Sequence, residues 1–357
     1  MSVDLAAEPQ LSRAQPHKLT SLPILLLNVH ENCNCRCLMC DIWKRPSGSE
    51  LDLASFTRHR NSIKALGVQQ VVLTGGEPLL HSNFEGLCSF LKSCEVHITL
   101  LTTGLLLTKR AEIVAKCVDE IIVSLDGPEE VHDQIRRVTR GFDLIRTGIS
   151  AVRSHRPEIP IQARSTVQRA NFLSLRETVA AAKQLGFDSI SFLATDVSSH
   201  AFNRELIWPG ERQTEIALTG SEVAALEAEM ELLIDQCREE IARRYIVESP
   251  EKLRRIARRF HEHLGELAPE SPICNAPWVS AVMEVDGSIR PCFFHPKVGT
   301  VEGGSLEDAI NSEEAQQFRR TLDIARDPTC QRCVCSLNYT KAAPEPEHSA
   351  SHLTFAR

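Results

Sequence analysis

The chain has 357 residues, of which 42% are hydrophobic and 24% are charged, proportions that are ordinary for a globular protein. Its formal net charge is −7, and it has no long basic run, so it lacks the electrostatic footprint of a nucleic-acid-binding protein. No segment approaches the ~20 apolar residues of a membrane-spanning helix, and the N-terminus lacks the charged-then-apolar pattern of a signal peptide. We therefore expect a cytoplasmic protein with neither nucleic acid nor a membrane as its partner.

Short apolar segments alternate with amphipathic ones after a predicted flexible arm at residues 1–20. The predicted strands cover residues 24–29, 70–74, 96–101, 120–125, 161–167 and 189–193. The predicted helices between them cover residues 53–66, 83–92, 109–116, 142–154 and 173–185. Short β-branched runs that alternate with longer helical patterns predict βα units and a parallel sheet. We expect an α/β fold, a partial (β/α)6 TIM-like barrel over residues 21–200, with its site at the C-terminal strand ends.

The sequence changes its pattern twice beyond the predicted barrel. Residues 201–269 are highly charged and have a helical pattern, which predicts a helical linker segment. Residues 270–340 combine short strands, glycine turns and cysteines, which predicts a small second domain containing a β-hairpin around Asp286-Gly287. The composition of residues 341–357 predicts a disordered tail.

Thirteen cysteines are many for this length, and most of them are clustered. A disulfide framework does not suit a reducing cytosol, and four cysteines within residues 33–40 and three within 330–335 are spaced too closely for separate bridges. The clusters therefore indicate metal ligands. Four further cysteines occur singly among apolar residues and are predicted to be small buried side chains: Cys88, Cys94, Cys117 and Cys237.

The first cluster, directly after the first predicted strand, places Cys33, Cys37 and Cys40 in the pattern C-x3-C-x2-C. Three thiolates on one loop can hold three irons of a cubane cluster and leave the fourth iron open to a small molecule. Zinc is the alternative, with Cys35 as a fourth ligand. The close spacing of Cys35 to both neighbours makes joint tetrahedral ligation awkward, so the motif favours an iron–sulfur cluster.

Together with motifs at later strand ends, this loop resembles the cluster loop of the radical S-adenosylmethionine (radical SAM) superfamily. The resemblance covers roughly residues 22–195. Gly75-Gly76-Glu77-Pro78 follows the second predicted strand and matches the GGEP motif, which meets the methionine amino group in that family. Glycine permits close backbone approach, and Glu77 can pair with an ammonium group. A simple turn at the end of a strand is the alternative interpretation of the four residues.

The resemblance also implies contacts with the ribose of S-adenosylmethionine. Ser124 and Asp126 follow the fourth predicted strand and resemble the ribose-contacting segment of the family. Alternate residues of a strand share a face, so both side chains can point to the cavity. An ordinary turn that starts at Asp126-Gly127 is the alternative.

Other contacts with the cofactor are implied by position alone. Met39 matches a position whose backbone lies near the adenine in the family. Arg164 and Ser165 on the fifth predicted strand are candidates for the methionine carboxylate, although a strand arginine can also form an ordinary surface ion pair. Phe192 and Leu193 are candidates for the adenine pocket, and buried core is the stronger interpretation for both.

The second group of cysteines has the spacing of a closed metal site. Cys274 and Cys292 stand in the pattern C-x12-G-x4-C, and a C-x2-C pair follows at Cys330 and Cys333. Gly287 fits a hairpin turn that brings Cys274 and Cys292 together. From spacing alone, a structural zinc ion and an iron–sulfur cluster are equally compatible with four such thiolates.

This pattern resembles the auxiliary-cluster domain of SPASM/Twitch radical enzymes. The full SPASM version has more cysteines after the C-x2-C pair, so the resemblance implies the shorter Twitch version with one auxiliary [4Fe–4S] cluster. The implied ligands are Cys274, Cys292, Cys330 and Cys333, with Cys335 as a substitute for one of them.

The resemblance implies a radical enzyme with two [4Fe–4S] clusters and S-adenosylmethionine as cofactors. An external one-electron reductant of the flavodoxin or ferredoxin type reduces the first cluster. S-adenosylmethionine then breaks into methionine and a 5′-deoxyadenosyl radical, which removes a hydrogen atom from a substrate C–H bond. The auxiliary cluster can accept the electron of the substrate radical.

The substrate is less constrained by the sequence. Since the barrel is predicted to start at residue 24, we expect no N-terminal peptide-recognition domain. This favours oxidation, epimerisation or decarboxylation of a small sugar-like or cyclitol-like metabolite in natural-product biosynthesis. A peptide- or protein-modifying maturase is the alternative, and a zinc-stabilised binding module is a remote one. The sequence does not determine the oligomeric state.

Four residues after the sixth predicted strand are candidates to contact the substrate or to act as its acid or base: Asp196, His200, Arg204 and Glu205. For each of them, an ordinary loop residue is the favoured interpretation.

Overall fold

A computed structural model describes residues 16–44, 48–202, 204, 206–270 and 272–340. The predicted tail, the first fifteen residues of the predicted arm and the candidate Glu205 lie outside the described residues. Near the end of the predicted arm, Leu19 is buried, and its N–H donates to Asn311 Oδ1 at 2.7 Å. The chain is therefore anchored to the folded body just before its first strand.

The described residues form one nine-stranded sheet with helices packed against it. The strands are β1 (Ile24–His30), β2 (Gln70–Gly75), β3 (His97–Thr102), β4 (Glu120–Ser124), β5 (Ile161–Val167), β6 (Ser189–Ala194), β7 (Ser280–Met283), β8 (Ser288–Arg290) and β9 (Gly299–Thr300). The helices of the first half are α1 (Leu53–Thr57), α2 (Arg60–Ala65), α3 (Phe84–Ser93), α4 (Leu107–Cys117), α5 (Glu129–Arg136), α6 (Gly141–His155) and α7 (Leu175–Leu185). Those of the second half are α8 (Gly210–Ile216), α9 (Gly220–Gln236), α10 (Arg238–Ala242), α11 (Pro250–His263), α12 (Ala276–Val279), α13 (Leu306–Ile310), α14 (Glu313–Thr321) and α15 (Pro328–Gln331).

The sheet has the strand order β6-β5-β4-β3-β2-β1-β7-β8-β9 and does not close. Strands β1 to β6 are parallel neighbours connected through helices, which confirms the predicted partial barrel. Strand β7 continues the sheet by pairing in parallel with β1, with Leu25 opposite Ala281. The predicted hairpin is confirmed, since β7 and β8 are antiparallel and Gly287 at the turn has φ +79°.

The two faces of the sheet have different neighbours. Alternate residues of β1, such as Leu25 and Leu27, belong to the main core with the helices. On the opposite face, Ile24 and Val72 pack against Ala276 and Leu337 of the C-terminal segment. The segment that carries the second cysteine group therefore covers the inner face of the barrel sheet.

Two details of the helices differ from the sequence-based expectation. The helix predicted over residues 53–66 is two short helices, α1 and α2, because the chain turns after Thr57. Helix α5 was not predicted, since its composition is mostly polar, yet it buries His132, Ile135 and Arg136. Among the described residues, no helix combines the length and apolar character that crossing a membrane requires.

Candidate functional site

The loop with the first cysteine group follows β1 and is fastened to the end of α5. The N–H groups of Arg36 and Leu38 donate to the carbonyl oxygens of Arg136 and Ile135, at 3.2 and 3.0 Å. The Ile42 N–H donates to Cys40 Sγ at 3.4 Å. The loop therefore has a defined backbone conformation at the C-terminal end of the first strand, where sites of βα barrels lie.

The thiols of this loop interact with one another and with a buried ion pair. Cys35 lies between Cys33 and Cys37 within hydrogen-bonding reach of both, and the pKa of the Cys35 thiol is raised. The pKa of Cys37 is lowered to about 6, first by the hydrogen bond from Cys35 and then, against the effect of burial, by Arg136. Arg136 Nη1 lies 3.5 Å from Cys37 Sγ. This environment favours the thiolate, the form that binds metals.

The partner of Arg136 is Asp126, one of the predicted ribose contacts. Asp126 is fully buried; its Oδ2 lies 2.6 Å from Arg136 Nε, and its Oδ1 accepts the Thr166 N–H at 2.9 Å. The expectation that both Ser124 and Asp126 point into the cavity is therefore corrected for Asp126, whose carboxylate is used to hold Arg136. Ser124 is half-buried and stands opposite Arg164 on the neighbouring strand.

The GGEP motif packs backbone against backbone on the start of the cysteine loop. The Gly76 N–H donates to the His30 carbonyl oxygen at 2.7 Å, and the Glu77 N–H to that of Asn32 at 2.8 Å. Gly75 has φ +127°, and a Cβ on Gly76 would lie 2.0 Å from Asn32 O. The contact between the two loops therefore requires glycine.

The side chain of Glu77 makes hydrogen bonds next to this contact between the GGEP motif and the cysteine loop. It is fully buried, and its carboxylate accepts hydrogen bonds from the Leu79 N–H, the Thr102 hydroxyl and the N–H of Thr103, at 2.7 to 3.1 Å, with the Thr103 hydroxyl also 2.7 Å away. Desolvation raises its pKa, and the hydrogen bonds oppose that rise. Both carboxylate oxygens accept hydrogen bonds from protein donors, and the pairing of Glu77 with a ligand ammonium stays a prediction.

The candidates on β5 and β6 point to opposite faces of the sheet. Ser165 is buried on the face of the helices, and Phe192 belongs to the core but also lines the cavity on the inner face. Arg164 and Leu193 line a cavity on the inner face, where Arg164 Nε donates to Ser191 Oγ at 3.3 Å. Arg164 and Ser165 therefore do not approach one common group.

Two of the proposed catalytic candidates form a buried ion pair. Arg204 contacts the Asp196 carboxylate, donates to the Asp196 carbonyl oxygen at 2.6 Å and donates to Met39 O at 3.2 Å. Both side chains are about fully buried, at 0% and 1% exposure. Asp196 and Arg204 are therefore structural supports of the cysteine loop, and His200 is an exposed loop residue.

A tryptophan extends this support. Trp208 lies between two guanidinium groups, with Arg204 at 4.1 Å and Arg212 at 4.8 Å from its ring centroid. Its indole N–H donates to Asp41 Oδ2 at 2.7 Å, and Arg212 donates to the carbonyl oxygen of Leu38. Arg204 and Arg212, which follow β6, thus bind the carbonyl groups of two consecutive residues of the cysteine loop, Met39 and Leu38.

The second group of cysteines lines a cavity of about 680 Å³ on the inner face of the sheet. It is lined by all four predicted ligands and by the predicted substitute: Cys274, Cys292, Cys330, Cys333 and Cys335. Burial raises the pKa of Cys292 to about 11 and raises the pKa values of Cys330, Cys333 and Cys335. His295 also lines the cavity, with Nε2 3.4 Å from Cys330 Sγ.

The distances between donor atoms distinguish a site for a single metal ion from a site for an iron–sulfur cluster. In the described parts of the chain, the one set of three or more His, Cys, Asp or Glu donors within 4.8 Å of one another is His295, Asp327 and Cys330. Four thiolates on one zinc ion, each at about 2.3 Å, have sulfurs roughly 3.8 Å apart. Among the described residues, no three cysteine sulfurs of either group lie within 4.8 Å of one another, which is wider than the spacing that four thiolates take on one zinc ion.

Comparison with known families agrees with this geometry. The profile of the radical SAM superfamily matches residues 27–193, and that of the SPASM iron–sulfur cluster-binding domain matches residues 274–334. The chain belongs to the radical SAM superfamily and carries a SPASM domain. The two profiles imply [4Fe–4S] clusters and S-adenosylmethionine as the cofactors of this radical SAM enzyme.

Two curated relatives resemble part of this radical SAM enzyme. An AdoMet-dependent heme synthase of Methanosarcina barkeri is 28% identical over 216 residues, which is 55% of this chain and 60% of the relative. A GTP 3′,8-cyclase of Rhodopseudomonas palustris is 33% identical over 148 residues, which is 38% of this chain and 42% of the relative. The chain thus spans less than two thirds of either relative.

Solved structures share the fold over most of the chain. Streptococcus suis SuiB bound to S-adenosylmethionine has a TM-score of 0.61 at 16% identity, and the alignment covers 90% of this chain and 74% of the SuiB chain. The protein anSMEcpe with bound AdoMet has a TM-score of 0.62 at 17% identity, and the alignment covers 83% of this chain and 82% of the anSMEcpe chain. Both similarities support the fold of the barrel and of the segment that follows it.

Sequence reasoning missed four residues around the two groups of cysteines: Arg136, Trp208, Arg212 and His295. A local signal existed for Arg136, because His132 and Arg136 are four residues apart and share one face of a helix. For His295 the signal was its position three residues after Cys292, whereas only the folded chain brings Trp208 and Arg212 to the cysteine loop.

Proposed function

We propose that this radical SAM enzyme holds its catalytic [4Fe–4S] cluster on Cys33, Cys37 and Cys40. The main support is the arrangement of this loop, whose thiols lie beside a buried guanidinium and whose backbone is joined to the GGEP motif. When bound, the cluster and S-adenosylmethionine supply reductive cleavage to a 5′-deoxyadenosyl radical that abstracts hydrogen from a substrate C–H bond. The protein holds the reactants in position and excludes water from them.

The residues around the GGEP motif would position S-adenosylmethionine. A cleft of about 400 Å³ is lined by Asn28, Gly75 and Gly76 on one side and by Phe202 and Phe293 on the other. The Glu77 carboxylate and exposed backbone atoms of the two glycines are the candidates for the contact with the methionine amino group. Ser124 remains the candidate for the contact with the ribose. Met39, in the cysteine loop, remains the candidate for a backbone contact with the adenine.

The second cluster is proposed to bind Cys274, Cys292, Cys330 and Cys333, with Cys335 as the alternative fourth ligand. Support comes from the cavity that all five cysteines line. Its position on the inner face of the barrel sheet suits an acceptor for the electron of a substrate radical. The proposed enzyme is accordingly an oxidoreductase, with a small sugar-like or cyclitol-like metabolite that is oxidised, epimerised or decarboxylated.

A peptide substrate is the second candidate. It is favoured by structural neighbours with bound peptides, SuiB with its precursor peptide SuiA and anSMEcpe with the Cp18Cys peptide. The curated relatives named for heme synthesis and GTP cyclisation favour a small molecule. We also propose a flavodoxin- or ferredoxin-type reductant and a cytoplasmic location, since such clusters need a low-potential electron donor.

The experiment is an anaerobic assay for 5′-deoxyadenosine with reconstituted protein, dithionite and S-adenosylmethionine. Cys33→Ala, Cys37→Ala and Cys40→Ala should each lower the rate by at least about 10³-fold, a loss typical of removing essential machinery. Cys274→Ala combined with Cys335→Ala, which removes the alternative ligand as well, should lower iron content by about four per chain but keep 5′-deoxyadenosine formation, since the first cluster has its own ligands.

Cys237→Ala is the matched control, because this half-buried cysteine lies in neither group. It should retain both iron and activity. Retained cleavage in any variant of the first group would refute the assignment of the catalytic cluster.

A further inference from the structure

His295 contacts both segments that carry the second group of cysteines, and the proposed function does not use it. It follows Cys292 by three residues, and its backbone N–H, with that of Phe294, acts on the Cys292 thiol as a hydrogen-bond donor. Its ring nitrogen Nε2 lies 3.4 Å from the sulfur of Cys330, in the C-x2-C segment. One residue therefore contacts two of the four proposed ligands of the second cluster.

The imidazole ring of His295 is buried and held in place from two sides. Only 5% of the side chain is exposed, and the ring packs edge-on against Phe318 of α14, with the ring centroids 4.8 Å apart. The carbonyl oxygen of His295 accepts a hydrogen bond from Arg290 Nε at 2.8 Å. The ring nitrogen is therefore fixed in its position beside Cys330 before any cluster binds.

The two groups that face Nε2 are both hydrogen-bond acceptors when ionised. Besides Cys330 Sγ, Asp327 Oδ1 lies 3.6 Å away, and this oxygen already accepts the N–H groups of Thr329 and Cys330 at 2.9 Å each. A ring nitrogen between a thiolate and a carboxylate has to carry its proton, which assigns the Nε2–H tautomer to His295. The nearer acceptor for this proton is the sulfur of Cys330.

Direct ligation of a metal by His295 is the competing interpretation. Donor atoms of His295, Asp327 and Cys330 lie within 4.8 Å of one another. However, five cysteines line the cavity, one more than a [4Fe–4S] cluster takes as ligands. The Asp327 oxygen is also occupied by two backbone donors. The hydrogen bond to Cys330 is therefore the role that the surroundings of His295 favour.

We propose that His295 is a positioning residue whose Nε2–H donates a hydrogen bond to the Cys330 thiolate and so raises the reduction potential of the second cluster. The inference rests on the proposed function, which makes Cys330 a ligand of that cluster. A cluster that accepts one electron gains one negative charge, so a donor to a ligand sulfur stabilises the reduced form more than the oxidised form. His295 thereby makes the second cluster a better acceptor for the electron of a substrate radical.

The test is redox titration of the second cluster, followed by the electron paramagnetic resonance signal of its reduced form. It uses the reconstituted full chain with Cys33, Cys37 and Cys40 replaced by alanine, so that the second cluster gives the signal alone. His295→Phe keeps a ring against Phe318 and removes the donor. It should lower the equilibrium constant for one-electron reduction about tenfold, which is a decrease of about 59 mV in midpoint potential.

Two further variants separate the hydrogen bond from a structural effect. His295→Gln keeps an N–H donor of similar reach and should recover most of the lost potential. His155→Phe is the matched control, because His155 is exposed at the end of α6 and lies in neither group of cysteines. Its midpoint potential should equal that of the parent protein.

A measurement on the parent protein alone keeps the test decisive if His295→Phe does not assemble a cluster. After selective labelling of histidine with 15N, pulsed electron paramagnetic resonance should detect a weak coupling between the reduced cluster and one histidine nitrogen. Absence of any histidine coupling overturns the inference. A coupling as strong as that of a nitrogen bound to iron also overturns it, since His295 is then a ligand.

Equal potentials in the parent protein and His295→Phe, with about four irons per chain in both, likewise overturn the inference. These outcomes differ from failure of the proposed function. A loaded second cluster whose potential does not depend on His295 refutes the hydrogen bond alone, whereas a triple-alanine protein that binds no iron contradicts the proposed second cluster itself.

Discussion

The two groups of cysteines occupy very different surroundings. Around the first, charged side chains contact the loop directly, with Arg136 on a thiol and Arg204 and Arg212 on backbone carbonyl groups. The second lines a largely apolar cavity in which burial raises the pKa values of its thiols. Protein donors thus hold the backbone of the first loop and lower the pKa of Cys37. Burial raises the pKa of the Cys40 thiol there as it does for thiols of the second group, so both groups depend on a bound cluster to stabilise their thiolates.

The largest expected effect concerns the ion pair behind the first loop. Arg204→Ala leaves the Asp196 carboxylate buried without its partner, so the free energy of unfolding should fall by about 3–5 kcal/mol. Urea denaturation of the reconstituted protein measures this. Arg212→Ala, at the half-exposed end of the same support, should cost much less. Equal losses in the two variants would contradict the distinction between a buried support and a peripheral one.

Gly76→Ala tests the junction between the GGEP motif and the cysteine loop. The new Cβ would lie 2.0 Å from Asn32 O, so one of the two loops has to move. We expect 5′-deoxyadenosine formation to fall about 10²-fold, the usual cost of displacing reacting groups by about 1 Å. Gly210→Ala is the control, since no atom lies within 4 Å of its added Cβ. Unchanged activity in Gly76→Ala would show that the close contact is not needed.

Iron removal compares the two regions directly. Chelation should increase amide exchange in residues 274–300 and 324–339 about tenfold, because this region loses the group that holds its thiols together. Residues 31–44 should change less than about threefold, since protein hydrogen bonds hold that loop. Hydrogen-exchange mass spectrometry of the two forms reports both regions at once. A greater increase in amide exchange for residues 31–44 than for the second region would contradict this expectation.

A smaller effect is expected from mild acid, between pH 7 and 5. Burial lowers the pKa of His132 to about 3, and its Nδ1 accepts the Asp126 N–H at 3.2 Å. Because the folded pKa lies below the ordinary value of 6.5, protons bind the unfolded chain preferentially. The histidine's contribution is complete above pH 6.5 and is lost as the pH falls towards 3, by up to about 1.4 kcal/mol per pH unit.

His132→Asn provides the comparison for this pH dependence, because the Asn side-chain oxygen can accept the same hydrogen bond and does not titrate. Thermal unfolding between pH 7 and 5 should show a smaller decrease in midpoint for the variant than for wild type. Parallel pH profiles would mean that His132 does not contribute.

Much of the barrel could be predicted because its signals are local. The strands alternate with helices at short range, and the cysteine loop and the GGEP motif directly follow strand ends. Helix α5 escaped prediction because its apolar positions are few. The parallel pairing of β7 with β1 also has no local signal, since the partners are more than 250 residues apart.

The sequence predicted which residues form the candidate site more completely than it predicted what each residue does there. Side-chain direction and hydrogen-bond partners decide those roles, and both depend on distant residues. Asp126 and Glu77 illustrate this point: each carries the expected carboxylate, yet each is buried and bound by protein donors. Asp196 and Arg204 likewise proved to be partners of each other.

The pairing of β1 with β7 also has a consequence for synthesis on the ribosome. Strand β1 emerges first among the strands, but one of its edges stays uncovered until β7 has been translated. An open apolar strand edge invites pairing with other chains. The nascent barrel therefore carries this open edge while the residues between β1 and β7 are translated, and its completion waits for the segment that also delivers the second group of cysteines.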